Sequence, residues 1–116
     1  MDKFNLKIKI SIADEHYRGF FGIGIVWLLE EIEKTGSIKK AASNLGMSYS
    51  KAHKILKRVE DKTGNLLLDK KRGGIDRGGS YLTEYAVTLI KNYKNFQDNV
   101  KKLAEQEYEK HVKNIL

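Results

Sequence analysis

The chain has 116 residues, of which 41% are hydrophobic and 32% charged, and it carries a formal net charge of +7 with neither cysteine nor proline. This length supports one domain with a small core, and the lack of cysteine excludes a disulfide framework and thiolate metal sites. The longest apolar run is too short to span a bilayer and the first residues do not form a signal peptide, so we expect a soluble, cytoplasmic protein that does not enter a membrane.

The first third of the chain predicts a strand, a turn and a helix. Residues 6–12 alternate apolar and polar side chains, which indicates a half-buried strand, and we expect it to pair with the later hairpin. Residues 14–19 form a polar turn. Apolar residues at helical spacing predict a helix over residues 22–35, with Gly36 as its C-cap. We expect Trp27 to belong to the core.

Residues 36–60 have the spacing of a helix-turn-helix. Ala42 supplies the small side chain needed where a second helix crosses the first, and Gly46 suits a turn with a positive φ angle. Ser48 stands where the second helix needs an N-cap. We expect this second helix, the recognition helix, to end near residues 63–65.

The positive charge is concentrated around this motif. Residues 37–82 hold 11 Lys/Arg against 4 Asp/Glu, whereas residues 1–36 and 83–116 have net charges of only −1 and +1. A polyanionic partner accounts for such a distribution, and double-stranded DNA is the partner we expect. The residues that we expect to contact the edges of DNA bases are Ser48, Tyr49, Ser50, His53 and Lys54. For DNA phosphates we expect these: Ser37, Lys39, Lys40, Lys51, Lys57 and Arg58.

A wing is predicted after the recognition helix. Two short apolar segments flank a basic, glycine-rich loop, whose backbone can come close to a sugar-phosphate chain. The predicted wing residues are Lys70, Lys71, Arg72, Gly73, Gly74, Arg77, Gly78 and Gly79.

From residue 83 onward the pattern predicts one long helix. Apolar residues recur at alternating steps of three and four, as in a helix that packs against another helix. A helix of this length overhangs so small a domain, so we expect its distal part to pair with a second copy, and we expect fraying beyond Leu103. The predicted dimer seam is Leu89, Tyr93, Phe96, Val100 and Leu103. The fold expected is therefore mainly α with a small antiparallel β-sheet: a winged helix-turn-helix DNA-binding domain over residues 1–82 and a long C-terminal dimerisation helix over residues 83–116.

Several short motifs together resemble a known family. They are Phe21-Gly22-x-Gly24, Thr35-Gly36-Ser37-Ile38 with Ala41-Ala42, Gly46-Met47-Ser48-Tyr49 with Ala52, the paired glycines of the wing, and Leu82-Thr83-Glu84. The chain resembles the N-terminal winged-helix domain of ModE-type, molybdate-responsive transcription regulators and, more distantly, that of LysR-type regulators. The resemblance implies a homodimer that places two recognition helices in successive major grooves of a pseudo-palindromic operator. Such regulators bind molybdate in a separate C-terminal region, so we expect this chain to lack a molybdate-binding domain, to need no cofactor and to leave room for a separate sensor protein.

Other functions remain open at this point. The two Arg-Gly-Gly units of the wing favour an RNA-binding protein, and a winged helix can also serve as a protein-interaction module or bind an oxyanion at a helix N-terminus. Ser48 to Lys51 matches Ser-x-x-Lys and Lys62 to Gly64 matches Lys-Thr-Gly, but the third β-lactamase element is missing. Short matches of this kind arise by chance in a lysine-rich chain, so we expect no enzyme. We expect no metal site either, because the three histidines lack ligand spacing.

Overall fold

The computed structural model describes residues 3–69 and 79–116. In chain order its elements are β1 (Ser11–Ala13), β2 (Gly19–Gly22), α1 (Ile23–Thr35), α2 (Ile38–Asn44), α3 (Tyr49–Thr63), β3 (Leu68–Asp69), β4 (Tyr81–Leu82), α4 (Glu84–His111) and a 3₁₀ turn (Lys113–Ile115). Within these residues β1 pairs with β2 and β3 with β4, each as a two-stranded sheet. The predicted mainly α fold with a small antiparallel sheet is confirmed.

The prediction for residues 6–12 is wrong in both extent and partner. Only β1 is a strand, and it pairs antiparallel with β2, Ile12 opposite Phe21, rather than with the later hairpin. Residues 6–10 lie instead along α4, where the Tyr93 hydroxyl donates to the carbonyl oxygen of Ile10 at 2.8 Å. Leu6 and its neighbours line a cleft with side chains of α4 further along. An extended segment with one face on a helix produces the same alternation as a half-buried strand, which is why the sequence pattern could not separate them.

Helix α1 forms the centre of the core. Leu28, Leu29 and Ile32 are fully buried, and Gly36 ends the helix at φ 71° with its N–H donating to the carbonyl oxygen of Ile32 at 2.7 Å. The predicted C-cap is thus confirmed. The core assignment of Trp27 is wrong, because its side chain is 55% exposed. At about 100° per residue, Trp27 projects from the side of α1 opposite Leu29.

The helix-turn-helix forms as predicted. Ala41 and Ala42 of α2 and Ala52 of α3 are all buried, which allows the two helices to cross closely. Gly46 adopts φ 73° in the turn. Helix α3 ends at Gly64, whose φ of 73° and bond to the Glu60 carbonyl oxygen make it the C-cap.

The base of the wing is a short hairpin in which Leu68 stands opposite Leu82. Thr83 joins this hairpin to α4: its hydroxyl donates to the Leu66 carbonyl oxygen at 2.8 Å and accepts from the N–H of Ala86 at 3.1 Å as the N-cap of α4. The predicted wing residues from Lys70 to Gly78 lie outside the described residues.

Helix α4 is about 42 Å long at 1.5 Å per residue, and it gives the molecule its long axis of 61 Å against 32 and 23 Å. The helix continues beyond Leu103 to His111, so the expected fraying there is wrong. Glu107 contacts two side chains in its last turns, the Lys110 ammonium at 3.5 Å and the His111 Nε2 at 3.4 Å. No helix in the described part of the chain is both long and apolar enough to cross a membrane.

Candidate nucleic-acid interface

Helix α3, the predicted recognition helix, starts with a side-chain cap. The Ser48 hydroxyl oxygen accepts a hydrogen bond from the backbone N–H of Lys51 at 3.1 Å, as predicted. Replacing such a cap by alanine typically costs about 1 kcal/mol. While it accepts this bond, the Ser48 hydroxyl can still donate its proton to a ligand. Lys51 meets Ser48 through its backbone, so the Ser-x-x-Lys match is a helix cap in this structure.

The middle of α3 divides into a buried and an exposed side. Ala52, Leu56 and Val59 face the core with at most 3% of each exposed. Ser50 and Lys54 each stand two residues before a buried residue, which places them on the opposite side of the helix, and both are exposed. These two side chains therefore point directly away from the domain.

The two edges of this exposed side face different parts of the fold. His53 and Lys57 line a cleft of about 670 Å³ between α3 and the base of the wing, with Leu68 on its far wall. Arg58 lies on the other edge and lines a shallow groove beside β2, together with Phe20. A double helix lying against α3 would meet cations on both edges of the helix.

Five cations of α2 and α3 have no carboxylate partner among the described residues: Lys39, Lys40, Lys51, Lys54 and Arg58. Lys57 forms an exposed pair with Asp61 at 3.5 Å, and Lys62 pairs with Asp14 at 3.0 Å. Exposed pairs such as Lys57–Asp61 contribute little stability, so Lys57 can exchange its partner for a phosphate at small cost.

The first turns of both motif helices lack acidic residues. Ser37 is the N-cap of α2 and accepts from the N–H of Lys40 at 3.1 Å, and Lys39 and Lys40 follow it on exposed positions. Cations near a helix N-terminus are slightly unfavourable for the helix itself, whereas α4 begins with Glu84, the favourable arrangement. The fold gives no reason for lysines here, which favours an external anion as their partner.

Tyr49 and His53 form an aromatic pair on α3. Their ring centroids are 5.9 Å apart with the ring planes tilted by 32°. Tyr49 is 49% exposed and therefore does not enter the core, although it stands in the first turn. His53 of this pair lines the cleft between α3 and the base of the wing.

A buried carboxylate, which the sequence did not single out, ties α3 to the β1–β2 turn. The Asp14 side chain is only 4% exposed, and its carboxylate accepts hydrogen bonds from the backbone N–H groups of His16 at 2.8 Å and Arg18 at 3.0 Å and from the Lys62 ammonium at 3.0 Å. The backbone N–H of Arg18, followed by the Lys62 ammonium, holds the pKa of Asp14 well below its usual range. Asp14 and Lys62 are 48 residues apart, so no local pattern could have joined them.

The predicted dimer seam is divided by the fold. Tyr93 is buried within its own chain against Phe21, at 5.3 Å between ring centroids. The prediction that Tyr93 contacts a helix of a second chain is therefore wrong. Leu89 packs partly on the core. Phe96 and Leu103 are 49% and 62% exposed on the distal half of α4.

No group of three or more His, Cys, Asp or Glu side chains that could hold a metal ion exists within residues 3–69 and 79–116.

The arrangement of α2, α3 and the β3–β4 hairpin, followed by a long helix, defines a winged helix-turn-helix domain. The chain belongs to the LysR family of bacterial regulatory helix-turn-helix proteins, whose family model matches residues 27–86.

Curated relatives carry the name ModE. The transcriptional regulator ModE of Haemophilus influenzae is 40% identical over 68 residues, which cover 59% of this chain and 27% of that protein. The molybdenum transport protein ModE of Herbaspirillum seropedicae is 37% identical over 81 residues, covering 69% of this chain and 30% of that protein. The DNA-binding transcriptional dual regulator ModE of Escherichia coli K12 is 33% identical over 66 residues, covering 57% of this chain and 25% of that protein. The chain thus spans between a quarter and a third of the length of these relatives, and the family resemblance found in the sequence is confirmed.

The fold also matches solved structures of CbnR. The complex of the CbnR DNA-binding domain with DNA has a TM-score of 0.55 and 15% identity, covering 75% of this chain and 94% of that one. Full-length CbnR with its target DNA has a TM-score of 0.56 and 14% identity, covering 75% and 28%. At this level of identity the likeness concerns the fold alone.

Proposed function

We propose that this protein is a transcription regulator that binds double-stranded DNA by placing α3 in the major groove. The observation that carries the proposal is the division of α3: one side is fully packed in the core, and the other exposes polar and cationic side chains of which Lys51, Lys54 and Arg58 have no partner in the described residues. A major groove accepts an α-helix and offers phosphates on both of its edges. The names of the relatives agree, since the Escherichia coli protein is called a DNA-binding regulator and CbnR was solved with its target DNA.

Within this interface, the outward direction of Ser50 and Lys54 suits base edges. A lysine ammonium can donate to the O6 and N7 acceptors of guanine, and a serine hydroxyl can pair with either a donor or an acceptor. Ser48 at the N-terminal end would add a donor to a base or phosphate.

The phosphate contacts would come from both edges of α3 and from the start of α2. Arg58 lies on the β2 edge and Lys57 on the wing edge, so the two can reach different strands. Lys39 and Lys40 extend the cationic surface beside α3.

We further propose that the DNA-bound form is a homodimer joined through the distal half of α4. Phe96, Val100 and Leu103 follow one another at steps of four and three along one flank, and Phe96 and Leu103 are about half exposed or more. The radius of gyration is 17.5 Å, against about 13 Å for a compact domain of this length, because α4 extends beyond the domain. Pairing of two such helices would cover the exposed side chains and set two α3 helices on a two-fold symmetric operator.

The proposal is tested by selecting binding sites from randomised DNA duplexes at two salt concentrations. An enriched, two-fold symmetric motif with half-sites about one helical turn apart is the expected result. Salt-sensitive binding without an enriched motif would contradict sequence-specific recognition and would favour a non-specific nucleic-acid binder or an RNA-binding protein. No binding at either salt concentration would make the protein-interaction module the better interpretation.

A further inference from the structure

Tyr49 is an exposed aromatic side chain within a surface that is otherwise polar and cationic. Its side chain is 49% exposed in the first turn of α3, and the exposed residues beside it are Ser48, Ser50 and His53. Helical side chains lean toward the N-terminus of their helix, so the Tyr49 ring extends toward the end of α3 that would enter the groove first. Salt bridges to phosphates do not use an aromatic ring, which points to a different contact.

His53 limits where this ring can lie. The two rings are 5.9 Å apart and tilted by 32°, and His53 stands one helical turn further along on the same edge. Contact with the imidazole on one side restricts the rotation of the Tyr49 ring, while 49% of the side chain stays exposed. A ring held in this way can contact a small apolar group without a large loss of conformational entropy.

The major groove contains one apolar group at a base edge, the 5-methyl group of thymine. The other base-edge features are hydrogen-bond donors and acceptors, which the exposed hydroxyl and amino groups of α3 can satisfy. An aromatic ring gains free energy from contact with a methyl group, because both surfaces leave water.

We propose that Tyr49 determines part of the DNA specificity by contacting the 5-methyl group of a thymine, and that His53 is the positioning residue for the Tyr49 ring. This inference rests on the proposed function of the same surface. Removal of one buried methyl group corresponds to about a four-fold loss in affinity. In a dimer with two equivalent contacts the loss becomes roughly fifteen-fold.

The test uses the duplex obtained by selection, with each thymine replaced in turn by deoxyuridine, which lacks only the methyl group. Affinity is measured by fluorescence anisotropy. We expect the wild-type protein to bind about four-fold more weakly when one particular thymine of a half-site is replaced. Tyr49→Ala should bind both duplexes equally, and Tyr49→Phe should keep the four-fold ratio, because the ring rather than the hydroxyl makes the contact.

Two further variants separate this contact from a general effect. Trp27→Ala removes another exposed aromatic side chain, on α1, and should keep the wild-type ratio. His53→Ala should lower the ratio of thymine to deoxyuridine affinity while leaving the melting temperature unchanged, since both rings are at the surface.

The possible results are distinguishable. A ratio that is unchanged in Tyr49→Ala, or a wild-type protein indifferent to every replacement, would overturn the thymine contact while leaving DNA binding intact. Loss of the four-fold ratio in Tyr49→Phe would assign the discrimination to the hydroxyl rather than the ring and would also overturn it. Failure of the selection itself would instead refute the proposed function on which the inference rests.

Discussion

Lys51→Ala separates the electrostatics of DNA binding from the stability of the fold. The Lys51 side chain is exposed and unpaired, and only its backbone N–H takes part in the Ser48 cap, which alanine preserves. Each phosphate contact contributes about 0.9 to the slope of log affinity against log salt. The loss of affinity between 50 and 200 mM salt should therefore be smaller by a factor of roughly 3.5 when one contact is lost. When a dimer loses two contacts, the factor is roughly 12.

The assay is fluorescence anisotropy across a salt series, with the selected duplex and a random duplex. Both slopes should flatten by about 0.9 for each protomer that binds, because phosphates are present in every sequence. The melting temperature should stay the same or rise slightly, since a cation is removed from a helix N-terminus. Lys102→Ala on α4 is the matched control, because it removes the same charge from an exposed, unpaired position outside the motif. Equal changes of slope in the two variants would refute the assignment of Lys51 to a phosphate.

Three other predictions concern base reading, assembly and pH. Lys54→Ala should weaken the free energy of binding to the selected duplex by about 1 to 3 kcal/mol, measured by competition, and the free energy of binding to a random duplex by much less. Equal losses of binding free energy on both duplexes would contradict a base contact. Leu103→Glu should convert a dimer to a monomer in analytical ultracentrifugation without loss of helical circular dichroism, whereas an unchanged mass would argue against the distal half of α4 as the interface. For Asp14, the lowered pKa means that the ionised form stabilises the fold. The free energy of unfolding of the wild type should therefore exceed that of Asp14→Asn fully above about pH 4, and the difference should shrink as the pH falls further. If the difference in free energy of unfolding between the wild type and Asp14→Asn did not depend on pH, the ionisation of Asp14 would not be its cause.

Local signals determined much of the fold. Gly36, Gly46 and Gly64 have positive φ and end α1, make the turn and end α3. The sequence predicted the roles of Gly36 and Gly46, because few other residues adopt that conformation, and it predicted the end of α3 to within residues 63–65. The sequence also predicted the N-cap Ser48 and the small buried residue Ala42, because the geometry that requires each of them is formed by residues nearby in the chain.

Errors arose where a pattern had more than one structural meaning. The alternation over residues 6–12 fits a strand and equally an extended segment packed on α4. The apolar sequence around Trp27 fits more than one rotation of α1, and the position of the neighbouring elements decided which side became buried. Tyr93 fits a seam between chains, yet the nearby Phe21 and Ile10 bury it within one chain.

The sequence by itself determined the helix-turn-helix, the residue types of its exposed side and the family, because caps, turns and helical periodicity depend on contacts between near neighbours in the chain. Only the tertiary structure decided which apolar side chains stay exposed, which cations lack partners and how Asp14 holds the end of α3. Those outcomes depend on contacts between residues far apart in the chain, because the tertiary neighbours of each side chain determine its free energy in the folded protein.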